Sequence, residues 1–378
     1  MRMTIPQPQL LKHLQIVEHA VNDRSTLPIL ANILLTTERD TLTLTATDLD
    51  VGIQCRVPLP QVGEEGAVTL PARKLATIIR ELPDESVLFE AKKNHTAILH
   101  CGQSSFRLPG LPAEDFPALP PIEKAEGMSI SQGALKALVT QTSYAMSMEE
   151  TRFILNGALL AAQQHTLTMV ATDGRRLATA NAPLASEVKQ PLQVVIPAKA
   201  IRELGRLLQD GEADDVTIAP LRDNQLTFRF GAVMVVTRLL EGQFPQHEQV
   251  IPPPSKTVLT CNRQGLTNAI RRASLMTSAT SQAVVFELGK QRLVVSKESP
   301  ELGSAREELA ATYSGESLTI AFNPEFWLDV LKVLEGDQVT IEFSGAERPA
   351  AIRVPAASEL RAGTPPAFTY IVLPMKVS

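Results

Sequence analysis

A pattern written three times, at one third of the chain's length, leaves little freedom in how these 378 residues fold. A strand running into Pro or Asn and then a helix recurs as VTLPARKL (68–75), VVIPAKAI (194–201) and IAFNPEFWLDVL (320–331), with Pro71, Pro197 and Asn323 spaced 126 residues apart. An amphipathic segment precedes each, LLKHLQIVEHAV (10–21), ALKALVTQTSYAM (134–146) and GLTNAIRRASLM (265–276). A third marker occurs clearly twice, LTLTATDLD (42–50) and LTMVATDGRR (167–176), with Asp48 and Asp173 standing 125 apart. This period exceeds the roughly 20–50 residues of solenoid repeats, and each copy is long enough to be a domain. Three like domains in one chain suggest an arc, and an arc suggests a ring.

Each third reads as a short strand, a helix, several alternating strands, a second helix and further strands, which is an α+β pattern. Leu10, Leu11, Leu14, Val17 and Val21 recur at helical spacing, as do Leu75, Ile78, Ile79 and Leu82 before Pro83 stops the helix. Asp173-Gly174, between MVAT and RRLA, predicts a two-residue hairpin turn. The proline clusters PALPP (117–121) and PPP (252–254) predict semi-rigid linkers, which places domains at 1–122, 128–252 and 256–378. The helices are similarly placed in every copy, so two per domain are expected on one side, with antiparallel sheets on the other.

No apolar stretch approaches the roughly 20 residues of a membrane helix, and MRMTIPQPQ lacks the apolar core of a signal peptide, so a cytoplasmic protein is expected. Cys55, Cys101 and Cys261 are odd in number and scattered, which predicts reduced core thiols rather than disulfides or a zinc site. Net charge is −5, yet it is unevenly spread. The helices expected at 9–22, 72–82, 133–146, 198–208, 264–276 and 324–334 hold eleven Lys/Arg and five acids, a balance of +6 against −11 elsewhere. Basic helices in an acidic remainder suit a ring around a polyanion; Lys and Arg are also simply good helix formers.

Reactive chemistry is scarce. No phosphate loop, dinucleotide fingerprint, HExxH helix or GxSxG elbow is present, and the six His make no ligand pair at metal spacing. Asp48 and Asp173 could in principle act as acid and base in a hydrolase, but they hold equivalent slots of different repeats, where Asp is ordinary turn chemistry.

Several segments, taken in order, carry a resemblance: RSTLPILANILL (24–35), LTATDLDVGI (44–53), LPAEDFP (111–117), RFILNGALL (152–160), VATDGRRLA (170–178), ATYSGE (311–316), AFNPEFWLDVL (321–331) and YIVLPMKVS (370–378). They resemble the bacterial sliding clamps, the beta subunits of DNA polymerase III, over essentially the whole chain. The resemblance implies three clamp-fold domains per chain, two chains joined head to tail as a six-domain ring around duplex DNA, no catalysis, no cofactor and no metal. Partners would be double-stranded DNA without sequence preference, and short peptides of polymerase, clamp loader and repair proteins. A specialised second-copy clamp with weakened DNA contact is the alternative.

The implied DNA-facing residues are Arg24, Arg152 and Lys199, joined by Arg73 and Arg202 on the charge argument. Phe153 and Ile154 stand where phenolic aromatics are familiar in the family. Met148, Glu149 and Gln249 also replace polar or basic residues, making this loop less polar. The implied peptide groove comprises Leu155, Thr172, Gly174, Arg175, Arg176, Leu177, Pro245, Val250, Asn323, Phe326, Ile371, Leu373, Pro374 and Met375. In it Leu177, Val250 and Ile371 would form an apolar floor, and Arg176 and Asn323 would orient the ligand. The implied ring joint pairs Lys74 and Phe106 with Leu275 and Met276, with acids Glu298, Glu301, Glu307 and Glu308 available. Only Arg107 answers those acids, so a joint resting on apolar packing and little affected by salt is expected.

Overall fold

The computed structural model describes residues 1–22, 25–59, 61–120, 127–211, 214–355 and 367–376. The first repeat runs β1 (Arg2–Pro6), α1 (Gln7–Val17), β2 (Asn32–Glu38), β3 (Thr41–Thr47), β4 (Val51–Pro58), β5 (Gln61–Glu64), β6 (Gly66–Pro71), α2 (Ala72–Glu81), β7 (Ser86–Ala91), β8 (Thr96–Cys101) and β9 (Ser104–Pro109). The second runs β10 (Met128–Ser131), α3 (Gln132–Thr142), β11 (Gly157–Gln163), β12 (Thr166–Thr172), β13 (Arg176–Pro183), β14 (Leu192–Pro197), α4 (Ala198–Leu207), β15 (Asp215–Leu221), β16 (Gln225–Phe230) and β17 (Val233–Arg238). The third runs β18 (Val258–Asn262), α5 (Arg263–Ala273), β19 (Val284–Gly289), β20 (Arg292–Ser299), β21 (Gly303–Tyr313), β22 (Leu318–Phe322), α6 (Pro324–Val333), β23 (Gln338–Glu342), β24 (Ala350–Val354) and β25 (Phe368–Val372). All three share one order of elements, and β5 is an addition to the first.

Each repeat builds two antiparallel four-stranded sheets of matching order. One, the hairpin sheet, is β6-β2-β3-β4, β14-β11-β12-β13 or β22-β19-β20-β21; the other, the terminal sheet, is β1-β7-β8-β9, β10-β15-β16-β17 or β18-β23-β24-β25. Sheets then fuse across repeats. Strand β4 pairs with β17 from Val51↔Thr237 to Cys55↔Val233, and β13 pairs with β25 from Arg176↔Val372 to Ala180↔Phe368. This edge pairing joins consecutive repeats through backbone hydrogen bonds, and it sets the compact units at 1–133 with 202–239, and at 134–201 with 240–378. The second repeat contributes its terminal sheet to the former unit and its hairpin sheet to the latter.

The first helix of each repeat is shorter than its apolar pattern suggested. Helices α1, α3 and α5 each end in a three-residue 3-10 turn, Glu18–Ala20, Ser143–Ala145 and Ser274–Met276, which tightens the last turn where carbonyls lack helical partners. Helix starts differ by copy. Pro71 presets φ at −56° before α2, whereas Asn323 accepts from the Glu325 amide at 3.0 Å and caps α6. Among the described residues, the six α-helices hold twelve Lys/Arg and four acids, so the observed boundaries sharpen the charge bias to +8. Helix α1 buries Leu10, Leu14 and Val17, and α6 seats fully buried Trp327 with its ring 5.5 Å from Phe286 and 5.2 Å from Phe322. No described helix is long and apolar enough to cross a membrane. All three cysteines are free and buried.

An arginine secures a helix end in each unit. Arg206 of α4 donates to the Gln15 and Ile16 carbonyls at 3.1 and 2.9 Å and pairs with Glu203 at 3.0 Å, placing a cation on the negative end of the α1 dipole. Arg176 does the corresponding work at the 3-10 turn that ends α3, donating to the Tyr144 carbonyl at 2.6 Å.

Candidate functional site

Because β13 and β25 pair in register, Leu177 and Ile371 lie side by side, each only 3% exposed, above a cluster of Leu159, Val170, Val195, Phe244 and Ala351. They floor an open cleft of about 340 Å³. Leu155, Pro245 and Pro349 also line it, and Val250 and Leu373 stand exposed at it. An apolar floor with exposed apolar rims is a surface that water wets poorly; seating one leucine or phenylalanine there contributes about 1.5–3 kcal/mol.

The remaining wall, Thr172 to Arg176, is a self-bonded turn. Thr172 Oγ1 donates to the Arg176 carbonyl at 2.6 Å and accepts from the Gly174 amide at 3.1 Å. Asp173 Oδ1 accepts from the Arg175 and Arg176 amides at 2.8 and 3.0 Å, and Gly174 takes φ +85°. Register Thr172↔Leu177 leaves four residues between paired positions, so the expected two-residue hairpin is replaced by a wider turn built on the Asp side chain. The first repeat repeats it: Asp48 Oδ1 accepts from the Asp50 and Val51 amides at 3.1 and 2.8 Å, and Thr47 Oγ1 donates to the Val51 carbonyl at 3.1 Å. Both carboxylates accept backbone N–H groups, which accounts for the TD pair without any acid–base role.

Arg176 lines the cleft, but its guanidinium is engaged by the protein itself. Its side chain, 10% exposed, bonds Asp173 at 3.0 Å, Asp329 of α6 at 2.7 Å and the Tyr144 carbonyl at 2.6 Å. The guanidinium also lies 4.5 Å from the Phe326 ring centroid. Phe326 therefore sits behind the wall, where its carbonyl accepts from the Tyr370 hydroxyl at 2.7 Å. Burial pushes the Tyr144 and Tyr370 phenols up. Asn323, expected to orient the ligand, instead caps α6 and lines a neighbouring polar cleft of about 400 Å³ with Ser274, Thr277 and Gln282. Pro374 lies between two pinned residues: the Leu373 amide bonds the Arg175 carbonyl at 2.9 Å, and the Met375 amide bonds the Ala321 carbonyl at 2.8 Å. Ten of the fourteen residues expected at a groove thus line this one cleft, and Asn323, Phe326, Pro374 and Met375 do not.

Sequence reasoning missed Gln246, His247 and Pro349, which also line the cleft. His247 comes shortly after Phe244-Pro245, and its ring stands edge-on to Phe244 at 6.2 Å. Burial holds its pKa below the ordinary value, partly offset by the Glu248 carboxylate and a backbone hydrogen bond at Pro245. A depressed histidine pKa stabilises the folded, neutral form above about pH 6.5, and that contribution is lost as pH falls. An apolar ligand deepens the burial, so its affinity should weaken roughly threefold to tenfold between pH 7.5 and 5.5. Titrating a labelled apolar peptide at both values checks this, and His247→Gln should flatten the profile; an equally steep profile in the variant would exclude the imidazole.

The other expected positions are dispersed. Arg73 and Lys74 are exposed on α2, Arg202 is exposed on α4, and Lys199 is half-buried. Arg152 is engaged, donating to the Asp173 carbonyl at 2.6 Å and pairing with Glu149 at 3.0 Å, so it buttresses the cleft wall. Phe153 and Met148 beside it are 59% and 86% exposed. Arg24 lies outside the described residues. Phe106 on β9 and Leu275 after α5 are 37% and 70% exposed, Met276 is half-buried, and Glu298 and Glu301 are exposed at the β20–β21 turn. Glu307 and Glu308, expected to be available acids, are paired within the chain to Arg272 at 2.5 Å and Arg292 at 3.7 Å.

Three like modules fused through shared sheets, with one apolar cleft walled by a turn, a linker and the last strand, define a modular clamp-type binding protein. Family models for the DNA polymerase III beta subunit match as its N-terminal domain over residues 1–120, its central domain over 129–246 and its C-terminal domain over 248–367. The chain belongs to this family, whose members are not enzymes. It is 34% identical over 380 residues to the beta sliding clamp of Pseudomonas putida, covering all of both chains. Against that of Bacillus subtilis it is 36% identical over 366 residues, covering 94% of this chain and 96% of the other. The structure matches that of a Pseudomonas aeruginosa sliding clamp bound to griselimycin with a TM-score of 0.92, 34% identity and full coverage of both chains.

Proposed function

We propose that the chain is a DNA sliding clamp: two copies close head to tail around duplex DNA, and the apolar cleft tethers polymerase and other replication and repair proteins through short peptides. The observation that carries the ring is the rule of the internal joints. A hairpin-sheet edge (β4, β13) pairs with the last strand of the next terminal sheet (β17, β25). The strands of the same two sets left over are β21 and β9. Among the described residues, strand β9 pairs only with β8, and β21 meets β18 only at Ala311–Tyr313, which leaves Gly303–Ala310 with one open edge. Joining β21 of one copy to β9 of the next continues the series, with Phe106, Lys74, Leu275, Met276, Glu298 and Glu301 around the seam. Domains at 1–122, 128–252 and 256–378 are the units of that series.

Arg24, Arg73, Lys199 and Arg202 would face DNA, with Phe153 as an apolar touch point; Arg152, held by Glu149 and Asp173, contributes least. Loose contact suffices, because non-specific phosphate binding reaches only about 10⁻⁴–10⁻⁶ M and a closed ring leaves DNA only by opening or sliding off an end. No cofactor is required, and the compartment is the cytoplasm, where the chromosome lies in bacteria. In the cleft, an extended peptide would seat a Leu or Phe on Leu177 and Ile371, and griselimycin would occupy the same floor. The test is retention: loaded onto nicked circular DNA, the protein should stay bound through gel filtration and be lost after linearisation. Equal retention on linear DNA, or none on the circle, would overturn the ring.

A further inference from the structure

The first repeat boundary carries the same cleft architecture as the second, yet it is not open. Two registers fix the equivalence. Gly52 pairs with Thr47 and Val236 as Leu177 pairs with Thr172 and Ile371. The linkers match too: Leu111 bridges Thr69 and Leu240 bridges Val195, followed by Phe116-Pro117 and Phe244-Pro245. Where Leu177 fills the floor from within its strand, Gly52 has no side chain. A Cβ placed on Gly52 would stand 2.5 and 2.9 Å from the two methyls of Leu119, closer than real Cβ contacts come. Leu119 of the linker therefore lies against the bare backbone of β4.

We propose that the first boundary is a second peptide-binding cleft closed by the chain's own Leu119, and that the residue at the Gly52/Leu177 position decides which cleft is open. Glycine admits the linker leucine onto the strand; leucine at the equivalent place occupies that volume, holds the linker off and leaves room for a partner's apolar residue. The latent site takes the same class of ligand, an extended peptide anchored by a branched apolar side chain, since that is what occupies it now. It takes it less tightly. Thr45, Thr69 and Thr227 stand where Val170, Val195 and Ala351 underlie the open cleft, and their hydroxyls are bonded to Gln54, Leu111 and Ala219. Fewer apolar groups under the ligand should weaken the second site roughly tenfold.

The inference rests on reading the open cleft as a peptide site, and the experiment separates the two. Full-length protein is titrated with griselimycin by calorimetry, as wild type and as Gly52→Leu, with Leu119→Ala as a second route to the same opening. In parallel, Leu119→Cys is probed with a thiol reagent, with and without Gly52→Leu; the native cysteines are buried. Expected are one equivalent bound by wild type and a second, weaker one by both opened variants. The thiol introduced at position 119 should react at least tenfold faster when Gly52→Leu is also present. One equivalent throughout would overturn the latent site. A thiol equally protected in both backgrounds would overturn position 52 as its gate. No binding by wild type would instead remove the peptide reading of the open cleft, leaving the thiol arm to report on the plug alone.

Discussion

Arg176→Met is expected to lower stability by about 3 kcal/mol and to abolish binding of peptide in the cleft. The guanidinium is 10% exposed and serves Asp173, Asp329 and the Tyr144 carbonyl together. Removing one partner of a buried ion pair typically costs about 3–5 kcal/mol, because the remaining charge stays desolvated. The lower end applies here, since Asp329 is 42% exposed and recovers water. Methionine keeps most of the apolar stem, so packing loss is a minor part. The binding effect follows from geometry. Asp173 holds the turn through its bonds to Arg175 and Arg176, and it is itself held by the guanidinium. The end of α3 and the face of α6 lose the same tie. Urea denaturation gives the stability, and calorimetry with griselimycin gives the affinity. A variant as stable as wild type, or equally tight, would show that the network is decorative.

Phe106→Glu and Leu275→Glu should each convert the proposed dimer to a monomer, and their mixture should discriminate head-to-tail closure from any other dimer. Both residues are exposed and apolar, and on the proposed seam each would be covered by the partner. Burying an unpaired carboxylate there costs several kcal/mol per joint, and each ring has two joints. Sedimentation at micromolar concentration should then report 41.0 kDa rather than twice that value. In a head-to-tail ring Phe106 of one copy meets Leu275 of the other, so mixing the variants restores one intact joint and leaves both charges on the second. The mixture should therefore regain mass as an open dimer, yet fail to stay on nicked circular DNA. Restored retention, or no restored mass, would contradict the pairing. Since Glu307 and Glu308 are already tied to Arg272 and Arg292, salt up to about 0.5 M should barely shift the proposed wild-type dimer.

Much of this was legible in the chain. Apolar spacing and the repeat located the six α-helices of the described residues, and the expectation overran at the ends where α1, α3 and α5 tighten into 3-10 turns. The TD pairs marked turns, but the width at Asp173-Gly174 was misread, because an Asp side chain that accepts from the second and third amides onward supports a longer connection than the Asp-Gly pair implies. Asn323 illustrates the harder problem. An Asn before a helix suits a cap as well as a ligand contact, and the 3.0 Å bond to the Glu325 amide shows that it caps α6. His247 and Pro349 went unseen because a cleft is assembled from segments distant in sequence.

Taken alone, the sequence determined the threefold module, the element order and the basic bias of the helices, since periodicity and charge are carried by side chains in chain order. Tertiary structure alone decided which edges pair, which arginines are spent on helix ends, and why one repeat boundary is open while Leu119 closes the other. Edge pairing is made by backbone groups that every residue shares, and the space beside Gly52 has no signature in sequence until a distant leucine is seen to fill it.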